Sequence, residues 1–77
     1  EGELCVNGKD YLLSDSNGNG EIKETCIGKA KPYIIDVPTR QNHIDPNDIL
    51  WTVSGDENKL IAVKPNGTCT VYSTEEN

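Results

Sequence analysis

The sequence predicts an all-β fold: a small six- or seven-stranded antiparallel β-sandwich, or a partly open barrel, in one domain that spans residues 1–77. Short runs of β-branched and aromatic residues recur along the chain, and the segments between them are rich in Gly, Asn and Pro. No segment keeps an apolar period of about 3.6 residues for long enough to form a good helix. Such strands bury their apolar sides either between two packed sheets or inside one curled sheet.

The N-terminal segment is predicted to form a β-hairpin followed by a third strand. Asn7-Gly8 separates two apolar runs, and both residue types tolerate the positive φ angles of a type I′ turn. We therefore place strands near residues 3–6 and 9–13. Polar and apolar residues alternate over Glu21–Ile27, which favours a half-buried strand there, with a short amphipathic helical turn as the alternative.

The C-terminal part is predicted to form a three-stranded antiparallel meander. Its strands and the breaker runs between them are Ile49–Val53, Ser54–Asn58, Lys59–Lys64, Pro65–Gly67 and Thr68–Tyr72. The single tryptophan, Trp51, alternates with Ile49 and Val53, which favours a place in the core for that side of the strand.

The middle of the chain supplies the candidate binding edge. Lys31–Pro38 is predicted to form a strand bracketed by prolines, and because proline cannot donate to a ladder, we expect this strand at a sheet edge. An exposed edge accepts an extended segment of a partner protein by strand addition. The predicted partner-binding residues are Tyr33, Ile34, Ile35, Asp36 and Val37. A turn is expected at Asp45–Asp48.

The three cysteines predict a disulfide. Only 34% of the residues are apolar, with no Phe or Met, so a covalent staple would help a marginal core. Cys5 and Cys69 would tie the first strand to the last and stabilise the fold by roughly 4 kcal/mol, while Cys26 is an alternative partner for Cys69. Spacing alone does not decide the pairing. A bridged small β domain is typical of secreted proteins, so we expect a mature form from which a signal peptide has been removed.

Charge and residue types argue against several functions. The net charge of −6 disfavours nucleic acid and anionic membrane surfaces as partners. The single histidine, His43, lies in a polar loop without a nucleophile spaced to suggest a triad, so neither an enzyme nor a cofactor is expected.

A weak calcium motif starts at Asp15. Asp15, Asn17 and Asn19 match the first three ligand positions of a calcium loop, and Glu21 is a further candidate ligand. The position of the bidentate Glu is occupied by Cys26, so an Asn/Gly turn between two strands is favoured over a metal site. A small extracellular calcium-binding β domain stays as an alternative function.

The layout of the chain resembles the MAX effectors, secreted virulence proteins of plant-pathogenic fungi. The resemblance rests on the small chain, the six or so strands, a cysteine in Leu4-Cys5-Val6 and another in Asn66–Val71; the third cysteine, Cys26, departs from that family. It implies a six-stranded β-sandwich with one disulfide, no enzymatic activity, and recognition of host proteins, including immune-receptor domains, along a strand edge.

A second resemblance involves the C-terminal part alone. Trp51–Ser54 together with Leu60–Thr68 is similar to the end of immunoglobulin-like domains of bacterial surface proteins. The sequence therefore predicts, first, a monomeric, secreted, non-enzymatic effector that binds a host protein, with action inside host cells as one option. An immunoglobulin-like surface domain is the second interpretation.

Overall fold

A computed structural model describes residues 2–36 and 41–74 and shows an all-β protein. Its six strands are β1 (Leu4–Val6), β2 (Lys9–Asp15), β3 (Lys23–Lys29), β4 (Ile49–Val53), β5 (Asp56–Val63) and β6 (Cys69–Thr74). The only other regular element in these ranges is a single 3₁₀ turn over Lys31–Tyr33.

All six strands form one antiparallel sheet in the order β1-β2-β6-β5-β4-β3, curled into a half-barrel. The partly open barrel is thus closer to the fold than the predicted sandwich of two sheets. The reason is β6, which pairs with β2 on one side and with β5 on the other. It joins the N-terminal hairpin and the C-terminal meander into one continuous sheet.

The locally encoded turns are confirmed. Asn7 and Gly8 have φ angles of 53° and 79°, as the type I′ turn between β1 and β2 requires. The predicted meander forms as β4, β5 and β6, but β5 begins at Asp56, three residues earlier than expected. Gly55, with a φ of 84°, permits a tight turn with Ser54, so most of the expected breaker run belongs to the strand.

The strand expected over Lys31–Pro38 is not present in the part of this segment that the structure describes. Pro32 lies in the 3₁₀ turn, where its fixed φ is well tolerated. Ile34 then makes one isolated antiparallel bridge with Leu4, and the Ile35 N–H donates to the Glu3 carbonyl at 2.9 Å. The chain therefore crosses from the end of β3 to β1 and ties the two edges of the half-barrel together at one end.

The concave side of the sheet holds the core. Its buried residues are Leu4, Val6, Tyr11, Ala30, Ile44, Leu50, Leu60, Ala62 and Tyr72. Burial of these side chains is the main stabilising term that the sheet supplies.

The tryptophan strand has the opposite orientation to the one predicted. Leu50, rather than Trp51, is fully buried in the core, and Trp51 is half-buried on the convex side beside Ile61. Val53 is buried nonetheless, because a register shift between Thr52 and Val53 interrupts the alternation.

Candidate functional site

The cysteines do not form the predicted disulfide. All three are free, and the strand register explains why. Cys5 lies opposite Asp10 at the end of β2 that pairs with Thr74, whereas Cys69 begins β6. The two therefore lie roughly 20 Å apart along the strand direction, at about 3.4 Å per residue. A disulfide needs Cα atoms within about 7 Å of each other, so this pairing is wrong for the fold.

The alternative bridge meets the same obstacle. Cys26 is on β3 and Cys69 on β6, with two strands between them, or roughly 14 Å of sheet. Cys5 is exposed, and a hydrogen bond from its thiol to Asp10, followed by slight burial and the charge of that carboxylate, raises the pKa of Cys5. The thiol form of Cys5 is therefore favoured over the reactive thiolate.

The weak calcium motif folds as consecutive Asx turns. The Asp15 carboxylate accepts the Asn17 N–H at 2.9 Å, and the Asn17 side-chain oxygen accepts the Asn19 N–H at 3.2 Å. Glu21 faces Lys59, with 3.2 Å between carboxylate and ammonium. Within residues 2–36 and 41–74, no three His, Cys, Asp or Glu side chains converge as a metal site requires. The oxygens of this motif thus serve the turn between β2 and β3.

The predicted partner-binding edge is largely occupied by the protein itself. Tyr33, Ile34 and Ile35 are half-buried against β1, Asp36 is exposed, and Val37 lies outside the described residues. The structure brings Ile34 and Ile35 to the β1 edge, where they use the pairing capacity that a partner strand would need.

A free edge exists at β3 instead. Among the described residues, β3 is the last strand of the sheet and pairs with β4 alone. Its first four residues are exposed, and its register to β4 shifts twice, between Lys23 and Cys26 and between Cys26 and Gly28. Bulges of this kind discourage unselective pairing of an edge strand. The edge is therefore open but irregular.

An open cleft of about 760 Å³ adjoins β3 on the concave side of the half-barrel. We call it the edge cleft. Its apolar lining comes from both edge strands, β1 and β3, and from strands that lie between them in the sheet. These residues are Val6, Tyr11, Ile27, Val53 and Leu60. The cleft thus offers both an apolar floor and a strand edge in one place.

The lining of the edge cleft is negative on balance, with Glu24, Asp56 and Glu57 against Lys9 and Lys59. The Lys9 ammonium donates to the Asn58 side chain at 3.4 Å. Lys59 lies 3.2 Å from Glu21 and 3.9 Å from Asp56, so this cation is already paired. Glu24 and Glu57 make no ion pair within the described part of the chain. Burial, and then the charge of Glu57, raises the pKa of Tyr11 on the cleft floor, so Tyr11 stays neutral.

A second concavity, of about 630 Å³, has an entirely different lining. We call it the polar pocket, and its polar lining residues are Ser16, Gln41, Asn42, His43, Lys64, Thr70 and Tyr72. Among the described residues that line it, Leu13 is the one aliphatic side chain. It shares no residue with the edge cleft.

Glu3 fixes the loop that covers the polar pocket. Glu3 is 3% exposed. Its carboxylate accepts a hydrogen bond from the His43 backbone N–H at 2.6 Å, and the His43 ring Nδ1 lies 3.0 Å from the other carboxylate oxygen. Burial by itself would raise the pKa of Glu3, but the hydrogen bonds and charge of His43, with the Leu13 N–H, outweigh it and lower the pKa. Glu3 is therefore held as a carboxylate.

Asp48 holds the side chain of Lys64, which lines the polar pocket. Asp48 is 0% exposed, and its Oδ2 accepts from the Lys64 ammonium at 2.9 Å and from the Asp45 N–H at 3.1 Å. The Lys64 ammonium also donates to the His43 carbonyl at 3.3 Å. Among the described residues, the second oxygen of Asp48 has no partner at hydrogen-bonding distance, and neither does the buried hydroxyl of Tyr72. Buried polar atoms without a partner are uncommon in a folded protein.

Sequence reasoning placed His43 in an exposed polar loop and missed its carboxylate partner. Nothing in the local pattern marks Glu3 or Asp48 as buried, because each becomes buried only through contacts made 16 to 40 residues away. The turn at Asp45–Asp48 was predicted and is confirmed by a hydrogen bond from the Asp48 N–H to the Asp45 carbonyl at 2.9 Å.

Comparison with protein-family models, curated proteins and solved structures finds no match at any level that would indicate kinship. Within the described ranges, the structure contains no helix with the length and apolar character needed to cross a membrane. The functional assignment therefore rests on the geometry of the edge cleft and the polar pocket.

Proposed function

We propose that this protein is a non-enzymatic binding domain that accepts an extended segment of a partner protein along β3, in the edge cleft. The observation that carries the proposal is the free edge of β3 beside an apolar cleft. A strand laid along β3 would continue the ladder of the half-barrel and narrow the gap toward β1. Main-chain hydrogen bonds would supply affinity, and the cleft would receive alternate side chains.

The cleft lining defines the chemistry of the segment. Val6, Ile27 and Leu60 favour β-branched or aromatic side chains on the face that points inward. Glu24 and Glu57 at the rim, in a chain with a net charge of −6, favour Lys or Arg on the segment. The occupant is therefore an extended, basic segment with alternating apolar residues.

This proposal keeps the mode of binding that the sequence suggested and moves it to another strand. The edge expected at Tyr33–Val37 is replaced by β3, because Ile34 and Ile35 already pair with the β1 end of the sheet. A secreted effector that recognises a host protein is the biological role we propose for such a domain, on the strength of the resemblance to MAX effectors. Secretion no longer draws support from a disulfide, since the thiols are free.

A peptide-display selection against the purified chain provides the probe for this proposal. We expect selected peptides to alternate apolar residues and to contain Lys or Arg. Isothermal titration of the best peptide should then show that Glu24→Gln and Glu57→Gln each weaken binding roughly two- to fivefold, as loss of an exposed ion pair does. The matched control is Asp36→Asn, which removes an exposed carboxylate outside the cleft and should leave affinity unchanged.

Backbone methylation of the peptide distinguishes strand addition from docking by side chains alone. In a β-ladder, amides that face the neighbouring strand alternate with amides that face away. Of two peptides N-methylated at complementary alternate positions, one should lose binding and the other should keep it. Equal affinities for the two peptides, or no effect of either Glu variant, would refute the proposal.

A further inference from the structure

We propose that the polar pocket is a second, independent binding site, which takes a small neutral polyhydroxylated ligand, that is, a sugar unit. The proposal rests on three features of the pocket: an unpartnered buried hydroxyl at its floor, walls whose charges are already compensated, and a mixed set of hydrogen-bond donors and acceptors. It does not depend on the edge cleft, with which the pocket shares no residue.

The unpartnered group is the Tyr72 hydroxyl. Tyr72 is 0% exposed and lines the pocket, yet among the described residues its oxygen has no partner at hydrogen-bonding distance, although the Thr70 hydroxyl is near enough to lower its pKa. Burial, followed by the charges of Glu3 and Asp48, raises the pKa of Tyr72, so the phenol keeps its proton and can both donate and accept. A ligand hydroxyl that reached this floor would make a hydrogen bond away from bulk water, where such bonds are strongest.

The charges of the walls do not select an ion. The Lys64 ammonium is paired with Asp48 at 2.9 Å, and Glu3 receives the ring and the backbone N–H of His43. A bound carboxylate would be repelled by the charges of Glu3 and Asp48, which act on Tyr72 at the floor, and a bound cation would be repelled by Lys64, which lines the pocket. A neutral ligand avoids both repulsions, which is why charge alone disfavours ionic ligands here.

The remaining polar groups match a ligand with several hydroxyls. Lys64 uses two of its N–H groups, on Asp48 and on the His43 carbonyl, and has a third to offer. Thr70 donates to the Ala62 carbonyl at 3.4 Å, which leaves its oxygen free to accept. Donors and acceptors are thus interspersed around one volume of about 630 Å³, as recognition of neighbouring hydroxyls requires.

The test is an NMR titration of the isotope-labelled chain with glucose, mannose and N-acetylglucosamine, and in parallel with acetate and ammonium. We expect at least one sugar to cause saturable shifts of the amides of residues 41–43 and 70–72, and the two ions to cause none. Tyr72→Phe should lower the affinity for that sugar roughly fivefold, which corresponds to the loss of one net hydrogen bond. Tyr11→Phe is the matched control, since it removes a phenol hydroxyl outside the polar pocket and should leave the sugar affinity unchanged.

Three results would overturn the proposal: no saturable shift at these amides with any of the sugars, equal sugar affinity for Tyr72→Phe and the unaltered chain, or preferential binding of acetate or ammonium. Thermal unfolding of each variant establishes that it is folded before titration. If Tyr72→Phe does not fold, Thr70→Val replaces it in the titration. Thr70→Val removes a second hydroxyl from the floor of the pocket and is expected to lower the affinity for the sugar to a similar degree.

Discussion

Replacement of Tyr72 by Phe tests the buried floor of the polar pocket through stability alone. The substitution removes one oxygen from a residue that is 0% exposed and leaves the ring in the core. A buried hydroxyl without a partner costs about 1–3 kcal/mol relative to the apolar equivalent. We take the lower end of this range, because the Thr70 hydroxyl lies close enough to lower the pKa of Tyr72 and so compensates in part for the missing partner.

The expected result is therefore a gain of about 1 kcal/mol in the free energy of unfolding of Tyr72→Phe. For a domain of this size that gain corresponds to a rise in Tm of roughly 4–8 °C. Urea unfolding at neutral pH, without sugar and followed by tryptophan fluorescence, measures the change with Tyr11→Phe as the control. A loss of 1 kcal/mol or more in Tyr72→Phe would refute the reasoning, since it would mean that the hydroxyl has a strong partner.

Three further predictions concern the polar residues and the thiols. Glu3→Gln should lower the free energy of unfolding by about 1–2 kcal/mol at neutral pH. Because the folded-state pKa of Glu3 is below its ordinary 4.5, the unaltered chain should lose this stabilisation as the pH falls below 4.5. The free energy of unfolding of the variant, measured by acid unfolding, should therefore depend less on pH. Lys64→Met leaves the Asp48 carboxylate buried without its cation and should lower the free energy of unfolding by about 3 kcal/mol. Addition of Asp48→Asn to this variant should restore part of the lost stability. Reductant should leave the Tm unchanged and mass spectrometry after alkylation should find three modified cysteines, whereas a Tm drop equivalent to roughly 4 kcal/mol would show that a disulfide forms.

Features encoded by neighbouring residues were predictable from the sequence. The Asn7-Gly8 turn follows from the positive φ that both residues accept, and the C-terminal meander follows from alternation between glycine-containing turns. The all-β class follows from these local signals, whereas the strand expected over Lys31–Pro38 does not form in its described part. The extent of β5 does not, because Gly55 alone sufficed for the turn and the polar residues after it entered the strand.

The order of strands in the sheet was beyond a local reading. Alternation shows which side of a strand is apolar, but it does not show that β6 lies between β2 and β5. The same gap explains the errors on the cysteines and on Trp51. Loop length favoured a bridge between Cys5 and Cys69, while the register of β1, β2 and β6 keeps them far apart. Trp51 was assigned to the core because it alternates with Ile49 and Val53, and Leu50 occupies that place.

The two candidate sites were predictable to different degrees. Binding at a strand edge was expected from the sequence, but the prolines pointed to a segment that forms no strand in its described part, since Pro32 lies in a 3₁₀ turn. The polar pocket was not expected at all. Its walls depend on Glu3 and Asp48, whose partners His43 and Lys64 are distant in sequence, and no short motif signals such a contact.

The most direct test of the central claim is an NMR measurement of intermolecular NOEs between the labelled chain and its selected peptide. The claim is that a partner segment pairs with the free edge of β3 in the edge cleft. We predict NOEs between the peptide backbone and the backbone protons of residues 23–29, together with new protection of β3 amides from hydrogen exchange. NOEs confined to the convex side around Trp51, or β3 amides that exchange equally fast with and without peptide, would contradict it.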